Sequence, residues 1–435
     1  MNKCVTTILV FMVLIEIFFL PACNRTTGLN NAKTVNGIVT APNGDIIVGA
    51  TVYIPSGEDV SLMHTVIRTR ALNLTANDAT PCDDPDVEAC AVTCTQADGS
   101  YTLDTSGCAG QEKTIIAKKG VLRTQIYLDC SSDPCNTDIS FDQEGTQYPK
   151  VAVVTGAWDN MQSVLVKIAP GASRYGTLEE YGEIVPGAKL SLLDGRGEPS
   201  ATSFAKYLDG TYSLSEFDIV FINCGVSSFV YEDLIEDDVV KERIRNYVNN
   251  GGNLYVTDFS YYFINQVFPS FMQFEGDGSD PISKGYIGAA RRGTSGVTVD
   301  AVVNDTTMKA WLQKVRVIQH DANTPGLPDD DCVFGAEEYS TRIGALNPEG
   351  TIPIGDFLPG WAQMIATYPN TDTKIWVSSG AGAVFDGLDN RPLTVSGTYG
   401  KGKIFYSSYH TAETCKTKYF WPQERVLQFL IFEAF

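Results

Sequence analysis

Histidine is scarce in this chain, with three in 435 residues: His64, His320 and His410. Positive charge is also short, with 32 Lys and Arg against 52 Asp and Glu and a formal net charge of −20. A nucleic-acid surface needs clustered Lys and Arg, so that partner class is not expected. The same deficit argues against charge-driven docking on anionic lipid headgroups. An acidic surface of this kind favours solubility and a weak attraction for cations. After the first two dozen residues no apolar run approaches the ~20 residues that a membrane span needs.

What is present starts at the N-terminus. Lys3 supplies a positive charge, Ile8–Ile15 and Ile17–Leu20 an apolar run, and Leu20-Pro21-Ala22-Cys23 a close of small residues. That order is the layout of a secretory signal, and Glu16 inside the run makes a spanning anchor a poorer fit. The ending resembles the lipobox of bacterial lipoproteins. The resemblance implies removal of residues 1–22, acylation of Cys23 (palmitate included), a polar tether over 23–33, and membrane attachment through lipid in the cell envelope. Asn24 is not the aspartate that signals inner-membrane retention in enteric bacteria, so the outer membrane is the expected location.

Cysteine usage fits export. Six of the eleven cysteines fall close together, at Cys82, Cys90, Cys94, Cys108, Cys130 and Cys135. An even cluster in an exported segment points to disulfides without fixing their pairing. Of the remaining Cys224, Cys332 and Cys415, the last two form a further candidate pair. Cys90-x-x-x-Cys94 has half the form of a zinc site, but no histidine lies near it. The runs Asp83, Asp84, Asp86 and Asp329-Asp330-Asp331 do not follow the spacing of a calcium loop and read as solvated loops. No metal and no cofactor is expected.

From Thr34 the chain carries short β-type segments. Val35–Thr40 and Ala50–Ile54 flank the turn Pro42-Asn43-Gly44-Asp45, where Asn-Gly is the strong signal. Asp98–Leu103, Lys113–Lys118 and Leu122–Tyr127 add strands without helical periodicity. Gly37-x-Val39, the Asn-Gly turn, Gly49-Ala50-x-Val52-x-Ile54 and Asp98-Gly99-Ser100-Tyr101 resemble the carboxypeptidase regulatory-like domain. That resemblance implies a transthyretin-like β-sandwich over 34–145. Ser56–Ala97 is longer than that family needs and reads as a disulfide-pinned surface excursion.

A different pattern begins at Tyr148. Lys150–Gly156 and Phe217–Gly225 are apolar runs ending in glycine, as expected of buried parallel strands. Asp237–Asn249 has helical spacing, with Val239, Val240, Ile244, Tyr247 and Val248 on one side. Gly251-Gly252 stops it, and Asn253–Asp258 is a further strand. Strands alternating with helices indicate an α/β domain with a largely parallel sheet. Glu424–Phe435 reads as an amphipathic helix packed on that sheet. The aromatic clusters Tyr261-Tyr262-Phe263 and Tyr419-Phe420-Trp421 read mainly as core, with a binding platform as the alternative.

Three stretches of this part resemble the class I glutamine amidotransferase-like fold, a flavodoxin-like sheet, over 148–435. They are Asp218–Gly225, the helix, Gly-Gly and strand ending at Asp258, and Tyr399-Gly400-Lys401-Gly402 through His410-Thr411-Ala412-Glu413. In that family a cysteine on a tight strand-to-helix elbow attacks the amide, a histidine activates it, and a glutamate orients the histidine. By position the elbow falls on Asp258 and its flanking small residues on Val256 and Ser260. The histidine matches His410, and the glutamate matches Glu413, displaced by one residue. The nucleophile is therefore missing and glutaminase activity is not expected. Cys224, at the end of an earlier strand, is the substitute candidate; its bland reading is a small buried hydrophobe.

The expected protein is multidomain, an N-terminal β-sandwich followed by an α/β flavodoxin-like domain. Its expected role is non-catalytic binding or scaffolding in the envelope, with an envelope protein or glycan as partner. The alternatives are an envelope hydrolase or amidase using Cys224 or Asp258 with His410, and a glycan or peptidoglycan recognition module.

Overall fold

The computed structural model describes residues 33–56, 89–108, 114–128, 133–143, 145–168, 190–196, 203–226, 228–276, 290–318, 341–355, 357, 361–369, 371–380, 390–411 and 419–434. The expected signal, Cys23, most of the tether, His64, Cys82, Cys130, His320, Cys332, Glu413 and Cys415 lie outside these residues. So do the acidic runs at 83–86 and 329–331. No described helix is long and apolar enough to cross a membrane.

Eight strands come first: β1 (Thr34–Thr40), β2 (Thr51–Pro55), β3 (Ala89–Cys94), β4 (Ser100–Asp104), β5 (Thr114–Lys119), β6 (Leu122–Tyr127), β7 (Cys135–Asn136) and β8 (Ile139–Ser140). They form two four-stranded sheets. One holds β4, β1, β7 and β8, and the other runs β3-β2-β5-β6. The Asn43-Gly44 turn forms, with Gly44 at φ 84° and Ala41 N donating to Asp45 O at 2.7 Å. It does not fold β1 back onto β2, which sits in the other sheet. Part of the expected excursion is strand as well. Ala89–Cys94 pairs antiparallel with β2, and Cys90 is bonded to Cys108. Cys94 and Cys135 are disulfide-bonded too.

The rest of the chain adds β9 (Val151–Thr155), β10 (Leu190–Asp194), β11 (Ile219–Ile222), β12 (Asn253–Thr257), β13 (Met272–Phe274), β14 (Val299–Val303), β15 (Arg316–Ile318), β16 (Thr341–Ile343), β17 (Thr351–Ile354), β18 (Met364–Thr367), β19 (Thr373–Ser378), β20 (Pro392–Tyr399) and β21 (Gly402–Ser407). Nine of them make one sheet in the order β10-β9-β11-β12-β21-β20-β19-β14-β17. From β10 to β21 every pairing is parallel; from β21 to β17 every pairing is antiparallel. The expectation of a largely parallel sheet is thus corrected to a mixed one. A parallel neighbour needs a long crossover, whereas a tight turn forces an antiparallel one. Gly400, at φ 62°, makes such a turn and closes β20 onto β21 with Tyr399 opposite Gly402.

Both faces of the parallel half are covered, which is why its strands read as unbroken apolar runs. Alternate residues serve the two faces. Val151, Val153, Ile219 and Phe221 join one core with Val164, Leu165, Leu427 and Leu430. Ala152, Val154, Val220 and Ile222 join the other with Ile244, Val248 and Phe263. The helix Asp238–Asn249 starts where Asp237 accepts a hydrogen bond from Val239 N at 2.8 Å. Val240, Ile244, Tyr247 and Val248 are buried as expected, but Val239 in the first turn is 62% exposed.

The C-terminal helix Pro422–Ala434 is less amphipathic than its sequence suggested. Gln423, Glu424, Arg425 and Gln428 are buried along with its apolar residues. Its polar residues meet partners on both sides. Glu424 pairs with Lys167 at 2.8 Å, while Arg425 and Gln428 bind Asp45 of the Asn-Gly turn. Trp311 Nε1 also donates to Ile46 O at 2.9 Å. The contacts to Asp45 and Ile46 fasten the N-terminal strands to the C-terminal helix and to Trp311.

Candidate functional site

Strands β9, β11, β12 and β21 end side by side, and the residues just beyond them converge. At the end of β12, Asp258 takes φ 42° and opens a single turn of 3-10 helix, Asp258–Tyr261. The left-handed conformation costs a non-glycine residue roughly 1–2 kcal/mol, so the surroundings must hold it. Asp258 O accepts from Tyr406 Oη at 3.1 Å, and Asp258 Oδ1 accepts from Ala362 N at 2.7 Å. Asp258 Oδ2 lies 2.8 Å from His410 Nε2 and accepts from Cys224 Sγ at 3.4 Å. Asp258 and His410 are fully buried, and Cys224 is 1% exposed.

A second polar layer supports the first. Cys224 N donates to Thr257 Oγ1 at 2.9 Å, and Thr257 Oγ1 donates to Asp159 Oδ2 at 2.5 Å. Asp159 Oδ1 accepts from Asn160 N at 2.8 Å, from Thr411 N at 3.0 Å and from the Thr411 hydroxyl. The residue after His410 is thereby tied to the loop after β9. Ser260 Oγ donates to Asn223 O at 2.7 Å, and Gln423 Nε2 reaches His410 O at 3.4 Å. The loops after β9 and β11 touch so closely that a Cβ on Gly156 would stand 1.9 Å from Cys224 O. Only glycine fits there.

Burial dominates the electrostatics. It pushes the Asp258 carboxyl above its ordinary value of 3.8, against the lowering effect of His410, Ala362 N and Cys224. Burial, reinforced by the Asp258 carboxylate, pushes the Cys224 thiol well above its ordinary range. A thiol in that state is protonated at neutral pH and is a poor nucleophile.

The structure therefore brings together Cys224, Asp258 and His410 from three separate strand ends. Glu413 falls outside the described residues. Val256 and Ser260, at the flanking positions, are both buried, and Val256 is bulky where an open elbow uses a small residue. Tyr261, Tyr262 and Phe263 are core residues, not a platform. Sequence reading missed Asp159, Asn223, Thr257 and the backbone of Ala362. Asp159 carried a usable signal, since it follows an apolar strand and a glycine at the carboxyl end of a parallel sheet. The expectation from the sequence was no metal, with a cation held by Asp258 and His410 as a lesser reading. Yet a ligand atom from each of Cys224, Asp258 and His410 lies within 4.8 Å of the others.

No protein-family model matches the chain, and no curated protein matches it. Solved structures with a similar course include a cytoplasmic protein from Salmonella typhimurium, 13% identical. Its TM-score is 0.31, and the match covers 65% of this chain and 98% of that one. They also include a ThuA-like protein from Bacteroides uniformis, 10% identical with a TM-score of 0.30, over 67% of this chain and 94% of that one. Likenesses this distant transfer no function.

Proposed function

We propose that this chain is a lipid-anchored envelope protein of two domains, 34–145 and 148–435, in which an amidotransferase-like frame has lost its chemistry and serves binding or scaffolding. The partner is an envelope protein or a glycan, and the location is the outer membrane. Two four-stranded sheets whose apolar faces join one core, which continues into the second domain, support the β-sandwich reading of the first domain. The order β10-β9-β11-β12-β21 supports a flavodoxin-like half-sheet in the second, since it is 2-1-3-4-5 in chain order.

One observation carries the functional reading. The elbow holds Asp258 instead of cysteine, and both carboxylate oxygens are engaged by groups of the protein itself, in a fully buried place. A carboxylate so engaged and closed off from solvent is not presented to a substrate. The competing amidase reading needs Cys224 as a thiolate, and burial with a neighbouring carboxylate pushes the thiol the other way. The test is hydrolysis of glutamine and of peptidoglycan-type amides by the full chain and by Asp258→Ala. Equal, background-level rates are expected. Turnover by the wild type that Asp258→Ala abolishes overturns the proposal.

A further inference from the structure

We propose that Cys224, Asp258 and His410 form an internal site for one zinc ion at the ends of β11, β12 and β21. This rests on the preceding section only in treating the trio as a group that holds rather than reacts.

The donor set is the first argument. A thiolate, an imidazole and a carboxylate suit zinc, whereas magnesium and calcium take oxygen donors. One thiolate and one carboxylate also neutralise a divalent ion. A neutral cluster then replaces a buried group whose ionisation the fold opposes, and uncompensated buried charge is what proteins avoid.

The distances are the second. Around a tetrahedral zinc, bond lengths of about 2.3 Å to sulfur and about 2.0 Å to oxygen give a sulfur–oxygen edge of roughly 3.5 Å. Cys224 Sγ and Asp258 Oδ2 are 3.4 Å apart. The corresponding nitrogen–oxygen edge is about 3.3 Å. His410 Nε2 and Asp258 Oδ2 stand 2.8 Å apart, so this edge must open, through a small rotation of the imidazole, and all three donor atoms lie within 4.8 Å of one another. The three protein donors fill three of the four tetrahedral positions.

The support around the donors is the third. Metal-ligating side chains are oriented by their outer hydrogen bonds. Ala362 N fixes Asp258 Oδ1 at 2.7 Å and so presents Oδ2 to the other two donors. Cys224 N is held by Thr257 Oγ1. Cysteine usage agrees: among the described residues Cys90, Cys94, Cys108 and Cys135 are in disulfides, whereas Cys224 is a thiol set beside a carboxylate.

Proton balance follows from the geometry. The Cys224 thiol proton leaves to solvent as the Zn–S bond forms. Any proton held between His410 Nε2 and Asp258 Oδ2 leaves with it, and His410 keeps its proton on Nδ1. Binding therefore releases protons and weakens as pH falls.

The test uses the full chain purified in detergent without chelator, with metal content measured directly. The chain is then stripped and titrated with Zn²⁺, and with Co²⁺ as a spectroscopic stand-in. The expected result is one zinc per chain and a thiolate-to-cobalt charge-transfer band that saturates at one equivalent. Cys224→Ser should abolish the band. His410→Gln should weaken binding by more than the roughly 10–100-fold that loss of an outer-shell partner costs. No retained metal and no band, or a band unchanged in Cys224→Ser, overturns the site. If a variant misfolds by circular dichroism, the wild-type titration decides alone. Amide turnover measured on the same samples separates the two proposals. His410-dependent turnover overturns the holding role, whereas absent metal with absent turnover overturns the zinc site alone.

Discussion

Replacing Asp258 by asparagine isolates the charge of the buried carboxyl from its shape. Asparagine tolerates the left-handed backbone seen at this residue, φ 42°. It also retains an Oδ1 that can accept from Ala362 N, now 2.7 Å away. What changes is Oδ2, which becomes an amide facing His410 and Cys224. In acid, where the native carboxyl is protonated, the mismatched partner should cost about 1–3 kcal/mol. The pH dependence follows from the direction of the carboxyl's shift. Burial raises its folded value above 3.8. Between 3.8 and that raised value the folded chain holds a proton that the unfolded chain has lost. Wild-type stability from this group is thus complete below the unfolded value and declines as pH rises through the folded one, by at most about 1.4 kcal/mol per pH unit. Asparagine has no such slope. Denaturant unfolding of both chains, stripped of metal and with chelator present, from about pH 4 to about pH 7 should show the stability gap narrowing as pH rises. A gap that widens would mean that an ionised Asp258–His410 pair dominates, and would refute the reasoning.

Three further outcomes are expected. Lys167→Met leaves Glu424 buried without its partner and should cost about 3–5 kcal/mol in denaturant unfolding. The double change with Glu424→Gln should recover much of that, and failure to recover would deny the pairing seen at 2.8 Å. Cys90→Ala with Cys108→Ala opens a loop of 18 residues and should cost about 3 kcal/mol, read as a lower thermal midpoint. Cys23→Ala should abolish metabolic labelling by palmitate and shift the chain from the detergent phase to the aqueous phase. Unchanged partitioning would remove the lipid anchor from the account.

Local pattern was legible where burial imposed it. β9, β11 and β12 stood out because both faces are covered. The helix Asp238–Asn249 stood out because its apolar spacing runs into a Gly-Gly stop. Asp258 and His410 were legible as strand-end residues. The antiparallel half was not, because its pairings are remote: β14 meets β17 and β19 only after the helix Thr306–Leu312 and further strands have intervened. The supporting layer was hidden for a similar reason. Asp159 and Thr411 bond across 252 residues, and Ala362 contributes a backbone amide that leaves no trace in side-chain identity. The polar face of the C-terminal helix misled for the opposite reason. Glu424 and Arg425 look like solvent-facing residues until Lys167 and Asp45 are brought to them by the fold.

The central claim, that this trio holds and does not react, is tested most directly by the rate at which a thiol-reactive probe labels Cys224 in the native full chain at neutral pH, with His410→Ala alongside. The account predicts no labelling of Cys224 until the chain is denatured, in either protein. Rapid native labelling that collapses in His410→Ala would contradict it and establish an activated nucleophile.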